Sequence, residues 1–477
     1  MTNDVEGLVK QLFEVHALSI IRNISELVKN AGSTRDREAR RLALRAMEVS
    51  IRSVDPKRIV ESKVKIKGDS LVIDGFKLPL RQFKRVTVIG AGKASGAMAE
   101  ALERILSDRI DRGVVNILEG TRSNFQLDRI ELHEANHPIP GGKSVAGTER
   151  MIELLTDLSE DDIVFCLISG GGSAMMSCPA EGITLRDKQE VTRSLLKCGA
   201  TIQEINTVRK HLSKVKGGWL AEKACPSTLV SLVVSDVVGD PLDSIASGPT
   251  APDSTTYLDV IHVLKKYDLW KGSPASVRMR LLKGIRGMVP DTPKSDDLCF
   301  KKAFNIVLGN NRLACHAAQS ALAKSGLKTL HLTSFLEGEA RETGLVLASI
   351  IREIDAAGRP ICRPAALIAG GETTVTVRGS GKGGRNQETV LSLLEKIAGI
   401  SGIAAAFLGT DGVDGPTDAA GAIVDGKSLS RAVRMKLSPT EFLVNNDSYR
   451  FFSNTKDLIF TGQTRTNVND LFVAVLV

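Results

Sequence analysis

Short apolar segments of this chain repeatedly run straight into glycine-rich turns. Helical periodicity follows most of these turns, which predicts alternating strands and helices. Apolar strands in such βα units form parallel sheets that helices cover on both faces. The pattern therefore predicts an α/β protein whose ligands bind at the carboxyl ends of its strands. It occurs at residues 86–92, 163–172, 365–371 and 403–412.

Hydrophobic patterning places the individual elements along the 477 residues. Two N-terminal helices are predicted within residues 5–55, and a helix followed by a Pro- and Asp-rich connector within residues 251–300. The connector predicts that a second domain begins near residue 300. Strands are predicted at 64–66, 71–73, 85–89, 113–117, 162–168, 227–234, 304–308, 328–332, 365–368, 373–377 and 403–408. Further helices are predicted at 97–106, 144–155, 185–196, 312–325, 339–356, 387–397 and 428–436.

Charge and aromatic content narrow the range of partners. The chain has 63 Lys and Arg against 55 Asp and Glu, a formal charge of +8 that is dispersed along the sequence. Aromatic residues make up 4%, so platforms on which nucleic-acid bases could stack are scarce. This balance favours an anionic small molecule over nucleic acid as the partner. No apolar run approaches the roughly 18–20 residues of a transmembrane helix, so no membrane partner is expected.

The seven cysteines are scattered and contain no CxxC pair. Such usage is typical of reduced thiols and argues against a zinc site or a disulfide framework. A cytoplasmic location is therefore expected.

The first glycine-rich turn contains Gly90, Gly92 and Lys93 between a strand and a helix. Glycines let the backbone approach an anion, and the helix N-terminus offers free N–H groups to it. Lys93 would add a mobile positive charge. The turn is not a Walker A loop, because it lacks the GxxxxGK(S/T) pattern. It is not a regular GxGxxG fingerprint either, because the third glycine, Gly96, comes one residue late. A tight turn with a surface lysine remains an alternative.

The second turn places Ser169 and Ser173 on either side of Gly170, Gly171 and Gly172. Successive N–H groups in such a loop form an anion-binding nest, and the two hydroxyls can donate to phosphate oxygens. The sequence therefore predicts nucleotide or substrate binding here. His137, in a proline-flanked loop between the two turns, is expected to lie nearby, although a structural role is the more common one for a lone histidine.

Two further segments of this half carry charged residues. If residues 204–218 are helical, Arg209, Ser213 and Lys216 share a face that could clamp a carboxylate or phosphate. A solvated basic face is an equal alternative. Asp236 follows an apolar strand, where it can hold Mg²⁺ or accept a proton from a substrate hydroxyl. An Asx-turn or a helix cap is the alternative for Asp236.

The C-terminal half repeats this organisation. Glu372 follows a strand, and Gly383 and Gly384 precede Arg385 at the start of a predicted helix, where a guanidinium can reach a phosphoryl group. Asp411 opens a segment with three carboxylates in eight residues that suggests a metal or hydroxyl site. A polar turn without a ligand is the alternative.

Together these segments resemble the class II glycerate kinases, whose C-terminal half is the MOFRL domain. The similarity covers nearly the whole chain, with the motifs in the same order. They are GAGKASG at 90–96, HPIPGGKS at 137–144, SGGGSA at 169–174, INTVRKHLSKVKGG at 205–218, SDVVGDPLDSIASGPT at 235–250, GGET at 370–373, GKGGRNQE at 381–388 and GTDGVDGPTDAAGA at 409–422.

The resemblance implies phosphoryl transfer from ATP to D-glycerate with Mg²⁺, by a monomer or homodimer. It implies two three-layer α/β/α domains with largely parallel sheets facing across a cleft that holds the site: a Rossmann-like domain at 1–300 and a MOFRL-type domain at 301–477. Lys93, Arg385 and Asp236 match catalytic positions, and Asp236 and Asp411 are the candidate metal ligands. The predicted nucleotide-binding residues are Gly90, Gly92, Ser169, Gly170, Gly171, Gly172, Ser173, Glu372, Gly383 and Gly384.

The mechanistic hypothesis is that Lys93 and Arg385 bracket the γ-phosphate or the substrate carboxylate. Whether the 2- or the 3-hydroxyl accepts the phosphoryl group stays open. The chain departs from the family pattern TGPTGTNVNDL at Gln463 and Arg465, which puts the shape of that turn in doubt. An NAD(P)-dependent hydroxypyruvate reductase and a sugar-phosphate-binding, isomerase-like module are the alternative functions.

Overall fold

The computed structural model describes residues 19–477 as two compact units. Unit 1 combines the described part of Met1–Asp55 with Asn310–Val477, and unit 2 is Pro56–Gly309. The predicted domains, 1–300 and 301–477, differ from these units in two places. The described residues before 56 belong to unit 1, and residues 301–309 belong to unit 2. The first predicted N-terminal helix lies mostly outside the described residues.

The helices of this part of the chain are α1 (Ile24–Lys29), α2 (Thr34–Ser53), α3 (Pro56–Lys63), α4 (Ser95–Leu106), α5 (Gly142–Glu153), α6 (Gly172–Met175), α7 (Leu185–Lys197), α8 (Ile202–His211), α9 (Trp219–Ala224), α10 (Tyr257–Lys266), α11 (Ala275–Ile285), α12 (Asn311–Lys324), α13 (Ala340–Ala357), α14 (Arg385–Leu394), α15 (Ser428–Arg434), α16 (Pro439–Val444) and α17 (Ser448–Thr455). The strands are β1 (Val64–Lys67), β2 (Ser70–Ile73), β3 (Phe76–Pro79), β4 (Arg85–Ala91), β5 (Arg112–Leu118), β6 (Ile130–Ala135), β7 (Asp162–Ser169), β8 (Thr228–Val234), β9 (Ala303–Gly309), β10 (Lys328–Leu336), β11 (Ala365–Gly371), β12 (Ile403–Gly409), β13 (Gly421–Asp425), β14 (Leu458–Ile459) and β15 (Asp470–Leu476).

Unit 2 is built on a six-stranded sheet in the order β6-β5-β4-β7-β8-β9, with every neighbouring pair parallel. All residues of the central strands β7 and β8 are buried, as expected for strands covered on both faces. Because the pairing is parallel, the turns after β4, β7 and β8 meet at one edge of the sheet. A small antiparallel sheet of β1, β2 and β3 precedes it in the chain.

Unit 1 has a six-stranded sheet in the order β10-β11-β15-β12-β13-β14. Among the described residues, only β10 and β11 pair in parallel; the other four neighbouring pairs are antiparallel. The α/β class is confirmed, but the expectation of a largely parallel sheet is wrong for this unit. The last strand of the chain, β15, inserts between β11 and β12 and runs opposite to both.

Two contacts between elements far apart in sequence, one made by β9 and one by α2, explain why the units differ from the predicted domains. Strand β9, assigned by the sequence to the second domain, pairs with β8 and completes the sheet of unit 2. Helix α2 packs on the sheet of unit 1, where Leu44 and Met47 share a core with Val473 and Val475. The chain thus leaves unit 1 after α2 and returns to it after β9.

The strand predicted at 373–377 is absent from the described residues; Thr374 forms only an isolated bridge with Glu339. Among residues 19–477, no helix combines the length and apolar character needed to cross a membrane. All seven cysteines are free thiols.

Candidate active site

The turns after β4 and β7 in unit 2 pack directly on each other. A Cβ atom added to Gly90 would lie 2.3 Å from the carbonyl oxygen of Leu167, and one added to Gly92 would lie 2.1 Å from Ser169 Oγ. The backbone N–H of Lys93 donates to the carbonyl of Gly170 at 2.9 Å. The first two glycines of the predicted anion loop are therefore required by close packing. A contact with phosphate stays a prediction for them.

Ser169 links the two turns through its side chain. Its hydroxyl accepts a hydrogen bond from the backbone N–H of Ala94 at 3.0 Å and lies 3.2 Å from Ser95 Oγ. This network fixes the first turn of α4 relative to β7. The Lys93 side chain is exposed and forms no salt bridge within residues 19–477. Its ammonium group is therefore available to an anionic ligand.

The glycines after Ser169 bring Asp236 and His137 to the same place. A Cβ atom on Gly170 would lie 2.2 Å from Asp236 Oδ2, and one on Gly171, whose φ is +82°, would lie 3.0 Å from the His137 ring. Burial and the positive charge of Lys93 both lower the pKa of His137. The structure thus places Lys93, Asp236 and His137 around the Ser-Gly-Gly-Gly turn. The sequence had placed only His137 near this turn, and the catalytic roles of Lys93 and Asp236 stay predictions.

Ser173 belongs to a second network on the far side of this turn. Its hydroxyl lies 2.8 Å from Ser247 Oγ, which donates to Asn206 Oδ1 at 3.1 Å. Ala246 and Ser247 have φ values of +52° and +63°, a left-handed conformation that costs about 1–3 kcal/mol per non-glycine residue. Such strain clusters at functional sites, and the sequence motif gave no sign of it.

The predicted common helical face of Arg209, Ser213 and Lys216 is wrong, because α8 ends at His211. Ser213 instead donates to the carbonyl of Cys178 at 3.3 Å. Lys216 turns inward, and its ammonium donates to the carbonyl of Ala246 at 3.2 Å. Arg209 and Lys216 nevertheless lie close enough for the charge of one to lower the pKa of the other.

In unit 1, Arg385 begins α14 and is held by two carboxylates. Its Nε and Nη2 lie 2.5 and 3.1 Å from the two oxygens of Asp470, and its Nη1 lies 2.8 Å from Glu372 Oε1. Asp470 is fully buried, which raises its pKa to about 6 even though Arg385 opposes the shift. The Arg385 side chain keeps a third of its surface exposed, so it can still contact a ligand.

The glycines before Arg385 are explained by the residues packed against them. A Cβ atom on Gly383 would lie 2.1 Å from Ser448 Oγ, and one on Gly384 would lie 2.2 Å from Asp414 Oδ1. Asp414 accepts hydrogen bonds from the backbone N–H groups of the next two residues of α14, at 3.0 and 2.8 Å. Burial raises the pKa of Asp414 to about 7. These contacts fix the start of the helix that carries Arg385.

The three carboxylates between 411 and 418 do not converge. Asp411 closes a local turn by accepting the backbone N–H of Val413 at 3.1 Å, Asp414 caps α14, and Asp418 accepts from Tyr449 Oη at 2.7 Å. Within residues 19–477, no group of three His, Cys, Asp or Glu side chains could hold a metal ion by itself. Asp236 and Asp411 also belong to different units.

The turn before β15 contains Arg465, and two residues near the candidate sites, Asp470 and Lys188, were not predicted from the sequence. Arg465 adopts φ +66°, so the non-glycine residue that departs from the family pattern is in the left-handed region. Asp470 was missed because it starts a strand that the sequence analysis did not predict. Lys188 was missed as a surface lysine, although it shares the buried stripe of α7 with Val191 and Leu195 at spacings of three and four.

Comparisons with known proteins identify the family to which the chain belongs. Residues 42–282 match a domain of unknown function, DUF4147, and residues 365–470 match the MOFRL family. A glycerate 2-kinase of Pyrococcus horikoshii is 43% identical over 92% of this chain and 98% of its own length. A putative hydroxypyruvate reductase of Agrobacterium vitis is 40% identical over 91% of this chain and 94% of its own. A crystal structure of glycerate kinase from Thermotoga maritima matches with a TM-score of 0.82 and 42% identity, over 91% of this chain and 99% of that one.

Proposed function

The chain belongs to the glycerate kinase family that combines a DUF4147 region with a MOFRL region, and from this we propose that it transfers the γ-phosphoryl group of ATP to the 2-hydroxyl of D-glycerate. The proposal rests on the exposed side chain of Lys93, which forms no salt bridge within residues 19–477 and lies beside the Ser-Gly-Gly-Gly turn and Asp236. Phosphoryl transfer depends on positioning and charge neutralisation, which these groups supply. The choice of the 2-hydroxyl is supported by the name of the Pyrococcus relative.

The charged side chains have distinct tasks in this proposal. Lys93 binds an oxygen of the transferring phosphoryl group and stabilises the charge that spreads over it. Asp236 either accepts the proton of the glycerate hydroxyl or holds the magnesium ion, the two roles open to a carboxylate at this position. Arg385, oriented by Asp470 and Glu372, offers a guanidinium that suits an anionic oxygen at the start of α14 in unit 1. The backbone N–H groups of the Ser-Gly-Gly-Gly turn bind phosphate oxygens.

The residues present also fit a magnesium ion that arrives with the nucleotide. Mg²⁺ in kinases is held by one or two carboxylates, by phosphate oxygens and by waters, so a site need not contain three protein ligands. Asp236, at the carboxyl edge of the parallel sheet, is the side chain that would hold it. Asp411, which closes its own turn in unit 1, is the weaker candidate. Bound Mg²⁺ would neutralise phosphate charge.

A hydroxypyruvate reductase is the second candidate function, because the Agrobacterium relative carries that name. A nicotinamide site needs an acidic residue after the second strand to bind the ribose. Here Glu119 follows β5, but it is paired with Lys143 at 2.6 Å and accepts from Asn136. The glycine pattern also departs from the dinucleotide fingerprint at Gly96. Kinase activity is therefore the better supported of the two.

Two parallel assays separate the candidates. One follows ADP formation from ATP and Mg²⁺ with and without D-glycerate, and the other follows NADH and NADPH oxidation with hydroxypyruvate. We expect glycerate-dependent ADP formation and no nucleotide oxidation. Reduced-nucleotide oxidation without ADP formation would reject the kinase. The location we propose, the cytoplasm, is supported by the seven free thiols.

A further inference from the structure

Three basic side chains of unit 2 are buried or half-buried without a carboxylate partner among the described residues. Lys188 on α7 is 3% exposed, and its ammonium has no hydrogen-bond partner in the part of the chain that the structure describes. Lys216 is 1% exposed, and its ammonium has one hydrogen bond, to the carbonyl of Ala246. Arg209 on α8 is half-buried. Within residues 19–477, none of the three forms a salt bridge with an acidic side chain.

The neighbouring Lys210 shows how this fold treats a structural buried lysine. Lys210 is as buried as Lys188, but its ammonium lies 3.2 Å from Asp253 and 3.3 Å from Asp243. A buried charge without such a partner is expensive, and proteins usually pair it or shift its pKa. The unpaired state of the other three cations is therefore specific to their place in the fold.

The three charges act on one another. Burial lowers the pKa of Lys188 to about 7 and that of Lys216 well below its usual range, and the charge of Arg209 lowers both further. Each cation thus lies within the electrostatic reach of the other two. An anion bound among them would favour the protonated form of both lysines and would then face three positive charges.

The cluster adjoins the candidate active site. Ala246, whose carbonyl accepts from Lys216, packs on Gly172 so closely that a Cβ atom there would lie 3.1 Å from Ala246 Cβ. The next residue, Ser247, contacts the hydroxyl of Ser173. The left-handed backbone of Ala246 and Ser247 therefore lies between the ammonium of Lys216 and the Ser-Gly-Gly-Gly-Ser turn.

We propose that Lys188, Arg209 and Lys216 form a binding site for a small oxyanion next to this turn. Arg209, the most exposed of the three, contacts the anion directly, because a guanidinium matches the planar geometry of two oxygens. Lys188 and Lys216 supply charge from behind it. The identity of the anion rests on the proposed function: it is the carboxylate of glycerate or a phosphate of the nucleotide, which share this chemistry.

The test measures binding without turnover. Calorimetric titrations of D-glycerate alone, ADP alone and inorganic phosphate alone are compared between the wild type and the variants Arg209→Gln and Lys188→Met. The matched control is Arg193→Gln, which removes an exposed and unpaired arginine from α7. We expect Arg209→Gln to raise the dissociation constant at least tenfold for the ligand that uses the site, and the control to stay within twofold.

The arms of the titration identify the source of the anion. A loss confined to D-glycerate assigns the substrate carboxylate, and a loss for ADP or phosphate assigns the nucleotide. Because these are binding measurements, they support or overturn the site even if no glycerate is phosphorylated. Unchanged affinities in both variants, or a wild type that binds none of the three ligands, would overturn it.

Thermal stability gives a second and independent readout. Lys188→Met removes a buried and unpaired charge, so the unliganded variant is expected to melt at a higher temperature than the wild type while binding more weakly. A residue with a merely structural role would behave in the opposite way. A lower melting temperature with unchanged affinity would therefore also contradict the proposal.

Discussion

At the scale of single residues, two lysines of unit 2 show how the presence of a carboxylate partner separates a structural lysine from a candidate ligand-binding one. Lys93 is exposed and unpaired at the edge of the sheet, whereas Lys210 is buried between two aspartates. The sequence could single out Lys93 because it follows a strand and a glycine turn, where ligands bind. It could not separate Lys188 from surface lysines, because the absence of a counter-ion depends on packing distant in sequence.

Removing the charge of Lys93 tests its proposed role. Lys93→Met is expected to lower kcat/KM for glycerate phosphorylation by about 10²- to 10³-fold, the effect of losing one contact to transition-state charge. Steady-state kinetics measure this, and circular dichroism should show an unchanged fold. Lys301→Met, which removes an exposed lysine of the same unit, is the control. Activity of Lys93→Met within tenfold of the wild type would reject the role.

Asp470 acts through Arg385 in this account, as a positioning residue. Asp470→Asn removes the carboxylate that binds two nitrogens of the guanidinium, so kcat is expected to fall by up to about 100-fold, as a displaced group allows. The KM for ATP should change much less. Glu353→Gln, which removes a surface carboxylate paired with Arg359, is the control. An unchanged kcat in Asp470→Asn would show that the orientation of Arg385 is unimportant.

At the scale of elements, local patterns predicted most helices and five of the six strands in the main sheet of unit 2; the edge strand β6 was missed. Those strands are continuous apolar runs, and their helices carry clear periodicity. Residues 373–377 alternate like a strand but lack a neighbour to pair with, apart from the single bridge at Thr374. Strand β15 was missed although residues 471–476 form a continuous apolar run of the kind that predicts a buried strand. Its central place in the sheet could not be predicted, because that place depends on pairing with β11 and β12, which are far away in sequence.

The end of the sheet opposite the candidate site allows stability to be tested apart from activity. Asp162 and Arg85, the first residues of β7 and β4, are register partners joined by two hydrogen bonds of 2.6 and 3.0 Å. Asp162→Asn is expected to lower the free energy of unfolding at pH 7 by about 1.5–3 kcal/mol, the value for a hydrogen bond to a charged group. Urea denaturation measures this, while kcat should be unchanged.

The same pair predicts a pH dependence. Hydrogen bonds from Arg85 and Ser159 lower the pKa of Asp162 to about 2, below the ordinary value of about 3.9. The ionised carboxylate therefore stabilises the folded state above pH 4, and this contribution is lost as the pH falls through about 2. The difference in unfolding free energy between the wild type and Asp162→Asn should be smaller at pH 3 than at pH 7. A constant difference would contradict this.

At the scale of the whole molecule, the chain completes each unit with a segment that the predicted domains assigned to the other. Helix α2 belongs to the core of unit 1, and β9 belongs to the sheet of unit 2. A boundary drawn from composition follows the order of the chain, so it cannot detect such exchanges. The resemblance predicted the α/β class, but it did not predict the antiparallel position of β15.

Arg40 tests the place of α2 in unit 1. It is fully buried, and its guanidinium lies 2.7 Å from Asp425 and 2.9 Å from Asp457. Arg40→Met leaves these carboxylates without that partner, so the free energy of unfolding is expected to fall by about 3–5 kcal/mol. Arg37→Met, an exposed change on the same helix, should stay within about 0.5 kcal/mol. Equal denaturation midpoints for the two variants would contradict the packing.

The central claim is that this chain phosphorylates glycerate at its 2-hydroxyl. The most direct measurement is a ³¹P NMR spectrum of the wild-type protein incubated with ATP, Mg²⁺ and D-glycerate, compared with standards of both phosphoglycerates. We expect loss of the γ-phosphate signal and growth of the ADP and 2-phosphoglycerate signals. The appearance of 3-phosphoglycerate would contradict the assigned hydroxyl, and the absence of any glycerate phosphoester would contradict the kinase itself.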